Sequence, residues 1–261
     1  MAELRIAYVP GVTPDKWLDR WRERQPDVPV LAHRYDEGDD PRALLAAGTA
    51  DVVFLRFAEG TKPADANTHV IPLYEELPVV CAPRDHGVEL YDDEVPLAEL
   101  AAETWLDPAD YPPAVGGVAM ALEVVGSGAG LLLVPMSVGR LHRRKDVVQK
   151  VVSGAPSTRI GIAWLKPAGD DPEDVRIQEF IGIVRGRGAN SSRQPSVRER
   201  EQREAAQAQR QRQRAPHRAE NQAAWGGSRA AGPRPGGKGG AGARGGSQGG
   251  KRRGGPTRGG R

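Results

Sequence analysis

Cysteine is almost missing from this chain. Cys81 is the only one, so no intramolecular disulfide can form. It lies in the apolar run Leu77-Pro-Val-Val-Cys-Ala82, which reads as a buried strand carrying a structural thiol. Long hydrophobic runs are missing too. No stretch approaches the roughly 18 apolar residues of a membrane span, and Met1-Ala-Glu-Leu-Arg5 lacks the charged start and apolar stretch of a secretion signal. The expectation is a soluble, cytoplasmic protein without membrane contact. Large apolar residues vanish after Val197, with Trp225 the one exception. Such a segment cannot bury enough surface to offset the entropy of ordering its backbone.

Clustered metal ligands and nucleophile motifs are also lacking. The five histidines (33, 69, 86, 142, 217) have no second His or Cys at zinc-finger or HExxH spacing. There is no GxSxG, and His86 is the only histidine near Cys81 in sequence. Gly126-Ser-Gly-Ala-Gly130 lacks the third glycine of GxGxxG. It also falls between a helix and a strand, whereas a phosphate loop must fall between a strand and a helix N-terminus. No catalytic residue, metal or cofactor is expected, and the chain does not read as an enzyme.

What is present divides the chain in two. Residues 1–185 hold 19 Lys and Arg against 30 Asp and Glu, net −11; residues 186–261 hold 18 against 4, net +14. The first part has the apolar content of a folded α/β domain. Leu4–Pro10 reads as a strand, and Thr13-Pro14 as a cap and first turn of a helix carrying Trp17, Leu18 and Trp21 on one stripe. Asp40-Pro41 opens a second helix closed by Gly48, and a strand follows at 51–56. This alternation predicts a mostly parallel sheet. Residues 69–82 read as an extended crossover, 96–103 and 117–125 as helices, and 131–135, 147–152 and 159–165 as strands. Asp171-Pro172 caps a last helix with Ile177, Phe180, Ile181 and Val184 at i, i+3, i+4 and i+7.

Residues 186–261 are expected to form a disordered basic, Gly- and Arg-rich tail with two textures. Residues 195–222, rich in Arg, Gln, Glu and Ala, favour transient helix, while 226–261 contains 16 glycines in 36 residues, with Arg-Gly-Gly at 244, 253 and 258. Its Arg and Lys residues, Arg244, Lys251, Arg252, Arg253 and Arg258 among them, are candidates for nonspecific nucleic-acid contact by counterion displacement. A solubilising tail, or one that folds back on the acidic domain, fits equally.

Two places favour an anionic ligand. Pro10-Gly-Val-Thr-Pro14 follows the first strand and opens a helix, so Thr13 either caps that helix or helps hold a carboxylate or phosphate. Arg56 ends its strand, where ligands of open α/β sheets gather, and is either an anion clamp or a surface ion pair.

Five segments, in order, resemble the effector-binding domain of LysR-type transcription regulators: LRIAYVPG, ALLAAGTADVVFLR, VIPLYEELPVVCAPRDH, VPLAELAAETWL and GSGAGLLLVPMSVGRL. The resemblance covers about residues 3–185. It implies a two-lobed, type II periplasmic-binding-protein-like α/β fold, with lobe I at about 1–81 and 150–185 and lobe II at about 82–149. It further implies a small-molecule effector, a homodimer, and effector contacts at Gly11, Val12, Thr13, Arg56, Leu77, Pro78, Thr104, Gly128 and Gly130. Two departures from the family stand out. The usual helix-turn-helix does not precede the first strand, and Asp107–Pro113 occupies a stretch where second-lobe strands and a helix are expected, which predicts a cleft that is shallow or lost.

Overall fold

The computed structural model describes residues 3–36, 38–61, 63–168, 174–188, 191 and 195–225, with side chains as far as 210. It divides into two compact units, Met1–Ala206 and Gln207–Arg261.

The first unit is built on two mixed sheets. One has the order β2-β1-β3-β9-β4, from β1 (Leu4–Tyr8), β2 (Val30–Arg34), β3 (Val52–Ala58), β4 (Thr68–Glu76) and β9 (Thr158–Leu165). The other has the order β6-β8-β5-β7, from β5 (Pro78–Pro83), β6 (Glu94–Pro96), β7 (Leu132–Pro135) and β8 (Val147–Ser153). Strands β1, β2 and β3 are parallel, as the helix and strand alternation predicts. The sheet as a whole is not mostly parallel, because β9 runs antiparallel to both β3 and β4. The expected crossover at 69–82 is two strands: β4 ends the first sheet, β5 begins the second, and Leu77 alone stands between them. The chain returns to the first sheet between Ser153 and Thr158.

Helix α1 (Asp15–Arg24) buries Trp17, Leu18 and Trp21. Trp17 stacks on Phe54 with centroids 5.2 Å apart, and Trp21 meets the edge of Phe180 on α5 (Val175–Val184) at 6.0 Å. The indole N–H of Trp21 donates to the Val28 carbonyl at 2.9 Å, so its polar end is satisfied inside the core. Thr13 does not cap α1; the cap position is Pro14, whose carbonyl accepts from Trp17 and Leu18. Helix α2 (Pro41–Ala46) follows the sequence expectation, with the Asp40 side chain accepting from the Arg42 N–H.

In the second sheet's layer, Leu97–Leu100 is a single 3-10 turn where a helix over 96–103 is expected. Helix α3 (Gly117–Gly126) matches its reading, while α4 (Met136–Leu141) has only six residues and no helical periodicity to announce it. The expected cap at Asp171-Pro172 lies outside the described residues; Asp174 caps α5, accepting from the Arg176 N–H at 2.8 Å. Helix α6 (Pro195–Trp225) spans the segment whose composition favours transient helix. At its start Ser196 donates to the buried Glu179 carboxylate through both N–H and hydroxyl, and Val197 is 4% exposed.

Cys81 on β5 is wholly buried, and burial pushes its thiol up to about 12. At about pH 8 the thiolate is then roughly one part in ten thousand. Iodoacetamide should leave the native chain unmodified and add one group once guanidinium unfolds it. Equal labelling rates in the two states, read by mass spectrometry, would contradict this burial.

Candidate functional site

Where the two sheets meet, the carboxyl ends of β1 and β3 face the first turn of α4. Arg56 near the end of β3 donates through Nε to Glu76 Oε2 at 2.6 Å and through Nη2 to the Pro10 carbonyl at 2.8 Å and Ser137 Oγ at 3.1 Å. Glu76, the last residue of β4, also accepts from the Ser137 hydroxyl and from Thr158 Oγ1 at 3.3 Å. The side chains of Arg56 and Glu76 are 12% and 3% exposed. This is a buried ion pair with its remaining donors and acceptors largely occupied, which is the condition for such a pair to be tolerated. Of the alternatives open for Arg56, the structure shows an ion pair, but a buried one within the first sheet, to which Ser137 ties α4.

Gly11 belongs to the same cluster. Its φ of +89° is a left-handed conformation, and a Cβ there would stand 2.6 Å from Ser137 Oγ. The backbone can approach α4 this closely only because glycine has no side chain. Val12 is buried beneath this turn and Thr13 is exposed. On the crossover, Leu77 is half exposed with its carbonyl accepting from Met136 N–H, and Pro78 is buried opposite Pro135.

The other three expected residues form a second group. The Thr104 carbonyl accepts from Leu131 N–H at 2.8 Å, and a Cβ on Gly130 would come within 2.9 Å of that same carbonyl. Gly128, with φ +85°, makes the turn that leads there from α3. The two groups sit at opposite ends of β7, five residues and so roughly 16 Å apart at the rise of a strand. The structure therefore gathers Gly11, Arg56 and Leu77 around Ser137 and Glu76, and gathers Thr104 with Gly130, but does not bring all nine together.

A cleft of about 440 Å³ opens beside the first group. Pro10, just beyond β1, with Arg34 and Asp36 at the end of β2, forms one wall. Tyr111, the amino end of α3 from Gly116 to Ala119, and His142 form the other. No side chain caps α3; its first N–H, that of Gly117, donates to the Pro112 carbonyl at 3.2 Å, and the positive end of the helix dipole lines this space. Beside a guanidinium, an imidazole and a phenol ring, that arrangement suits a small anion with a flat apolar part. Sequence reasoning did not single out Arg34, Tyr111 or His142, which no local motif marks. Among the described residues no group of three His, Cys, Asp or Glu is placed to hold a metal ion.

Two sheets linked by a single-residue crossover, with a cleft between them, can be compared with known proteins. The LysR substrate binding domain model matches residues 2–115. This is the fold of a LysR substrate-binding domain. The match runs through β6 and ends at residue 115, in the Pro-rich segment before α3. Solved structures extend the likeness. The BenM effector binding domain with its effector benzoate is 20% identical, with TM-score 0.55 over 71% of this chain and 91% of that one. The OxyR regulatory domain from Pseudomonas aeruginosa, in a variant form, is 17% identical, with TM-score 0.52 over 71% and 97%. Full-length CbnR complexed with its target DNA is 20% identical, with TM-score 0.52 over 70% of each chain. No curated protein matches the chain in sequence.

In this LysR-type fold the contact of Gly11 with Ser137 sets how closely the lobes approach. Gly11→Ala should cost about 2–3 kcal/mol, from left-handed strain and overpacking together. The same change in a Ser137→Gly background should cost less, since the contacts with Oγ and Cβ are gone and only the left-handed strain and the 3.0 Å approach to the Ser137 backbone remain. Equal costs in urea denaturation of the two backgrounds would contradict the contact.

Proposed function

We propose that the folded part is a non-catalytic sensing module, in which a small anionic effector binds the cleft between the lobes. Its binding shifts their closure, and a partner or a second copy reads that shift. The observation that carries this reading is the cleft itself, with both lobes contributing walls, the amino end of α3 on one and Arg34 on the other. Its volume lies in the range of small-molecule sites. BenM, with the same fold, binds benzoate in its own effector domain. The ligand proposed here is a carboxylate of similar size. Pro10, in the cleft's wall, precedes Gly11 and accepts from Arg56, while Gly11, Val12, Thr13, Arg56, Leu77, Pro78, Thr104, Gly128 and Gly130 are not themselves in the lining.

Thermal unfolding of the whole chain against benzoate and a panel of small aromatic and aliphatic carboxylates tests this. A ligand at a hundred times its dissociation constant stabilises by about 2.7 kcal/mol. The shift should disappear in Arg34→Ala and persist in Thr13→Ala. Loss in Thr13→Ala with retention in Arg34→Ala would move the site to the end of β1, and no shift across the panel would contradict the sensing function.

A second reading rests on charge alone: the segment 186–261, net +14, associates with nucleic acid. Its named candidates Arg244, Lys251, Arg252, Arg253 and Arg258 lie outside the described residues.

A further inference from the structure

The acidic domain carries one face of opposite charge. A groove of about 1090 Å³ crosses the end of the second sheet where β5 stops and β8 starts. Its wall holds Arg84, Arg140, Arg143, Arg144, Lys145 and Lys150, with Glu89 the only carboxylate. Every Lys and Arg between residues 85 and 158 lies on this wall. In a part of the chain with net charge −11, such segregation gives a local field opposite to the surroundings.

The hydrogen bonds show how little of that charge is neutralised. Arg144 is held by Asp146 at 3.0 Å and Glu123 at 3.1 Å. Arg84 donates to the Lys145 carbonyl and Lys150 to those of Tyr91 and Asp92, so these heads are oriented by neutral acceptors and keep their charge. Arg140, Arg143 and Lys145 are exposed, and their cationic heads make no hydrogen bond or ion pair among the described residues. Three free cations and two carbonyl-steered ones border one open groove.

We propose that this groove binds the phosphate backbone of a nucleic acid. An isolated phosphate would be met by one or two donors, whereas here the cations are spread along a groove far larger than a phosphate. The wall contains no aromatic side chain, so bases have nothing to stack on and recognition is through the backbone, independent of sequence. The groove is distinct from the effector cleft, and the proposal depends neither on that cleft nor on the tail.

The test uses the full chain with Arg244, Lys251, Arg252, Arg253 and Arg258 changed to Ser, so that the tail's share is reduced. Anisotropy of a labelled single-stranded RNA of about 20 nucleotides is followed against salt. Adding Arg140→Ser, Arg143→Ser and Lys145→Ser should flatten the plot of log affinity against log salt by about 2. It should also weaken binding roughly 100-fold near 0.1 M salt, at about 0.7 counterion per cation. An unchanged affinity and slope would overturn the proposal and leave any binding to the tail. Polyglutamate of matched charge should compete poorly; competition equal to that of unlabelled RNA would overturn it in favour of an acidic protein segment. In the unsubstituted chain, RNA should protect Lys145 from acetylation by an N-hydroxysuccinimide ester, and absence of protection would count against the groove whether or not the triple variant folds.

Discussion

The buried hub of Arg56, Glu76 and Ser137 is the constraint on which the arrangement of the lobes rests. Arg56 belongs to β3, in the middle of the first sheet, and Glu76 closes β4 one residue before the chain passes into the second. Ser137, brought from α4, donates to the same carboxylate and accepts from the same guanidinium, so one hub of three side chains spans both sheets. Neither charge can be left alone at this depth, because a buried ion without its partner keeps its desolvation cost and loses the compensating attraction. The hub therefore favours lobe positions that keep all three groups together. Any effector acting through closure must work against, or alongside, that preference.

Around the hub, local rules of the chain suffice. The stripe of Trp17, Leu18 and Trp21 was readable from its spacing, and it packs on Phe54 and Phe180 as an amphipathic helix on a sheet must. Asp40-Pro41 announced α2 by cap and proline, and Leu77–Ala82 announced a buried strand by its unbroken apolar run. The two-lobed fold class was legible only through the five segments that resemble a known family, and the crossover was read as one strand over 69–82, where the chain makes two.

What the sequence hid is what depends on distant partners. Arg56 could be read as an anion clamp or an ion pair, since nothing local links it to a carboxylate 20 residues on and a hydroxyl 81 residues on. The antiparallel return of β9 depends on the second lobe being complete, and no short-range pattern encodes it. Asp107–Pro113 looked like a place where structure was missing. In the fold it makes 3-10 turns, the first capped by Asp107, and Pro108, Ala109 and Tyr111–Pro113 line the cleft. The basic groove was hidden by the net charge of residues 1–185, since a sum over sequence does not show that the cations gather at one end of one sheet.

The most direct measurement is a double-mutant cycle on Arg56 and Glu76 by equilibrium urea unfolding of the whole chain. Glu76→Leu alone should cost about 3–5 kcal/mol, because it strands the guanidinium, and the pair Arg56→Met with Glu76→Leu should cost less than that single change. Additive costs, or a mild effect of Glu76→Leu alone, would show that the lobes are held by something other than this hub.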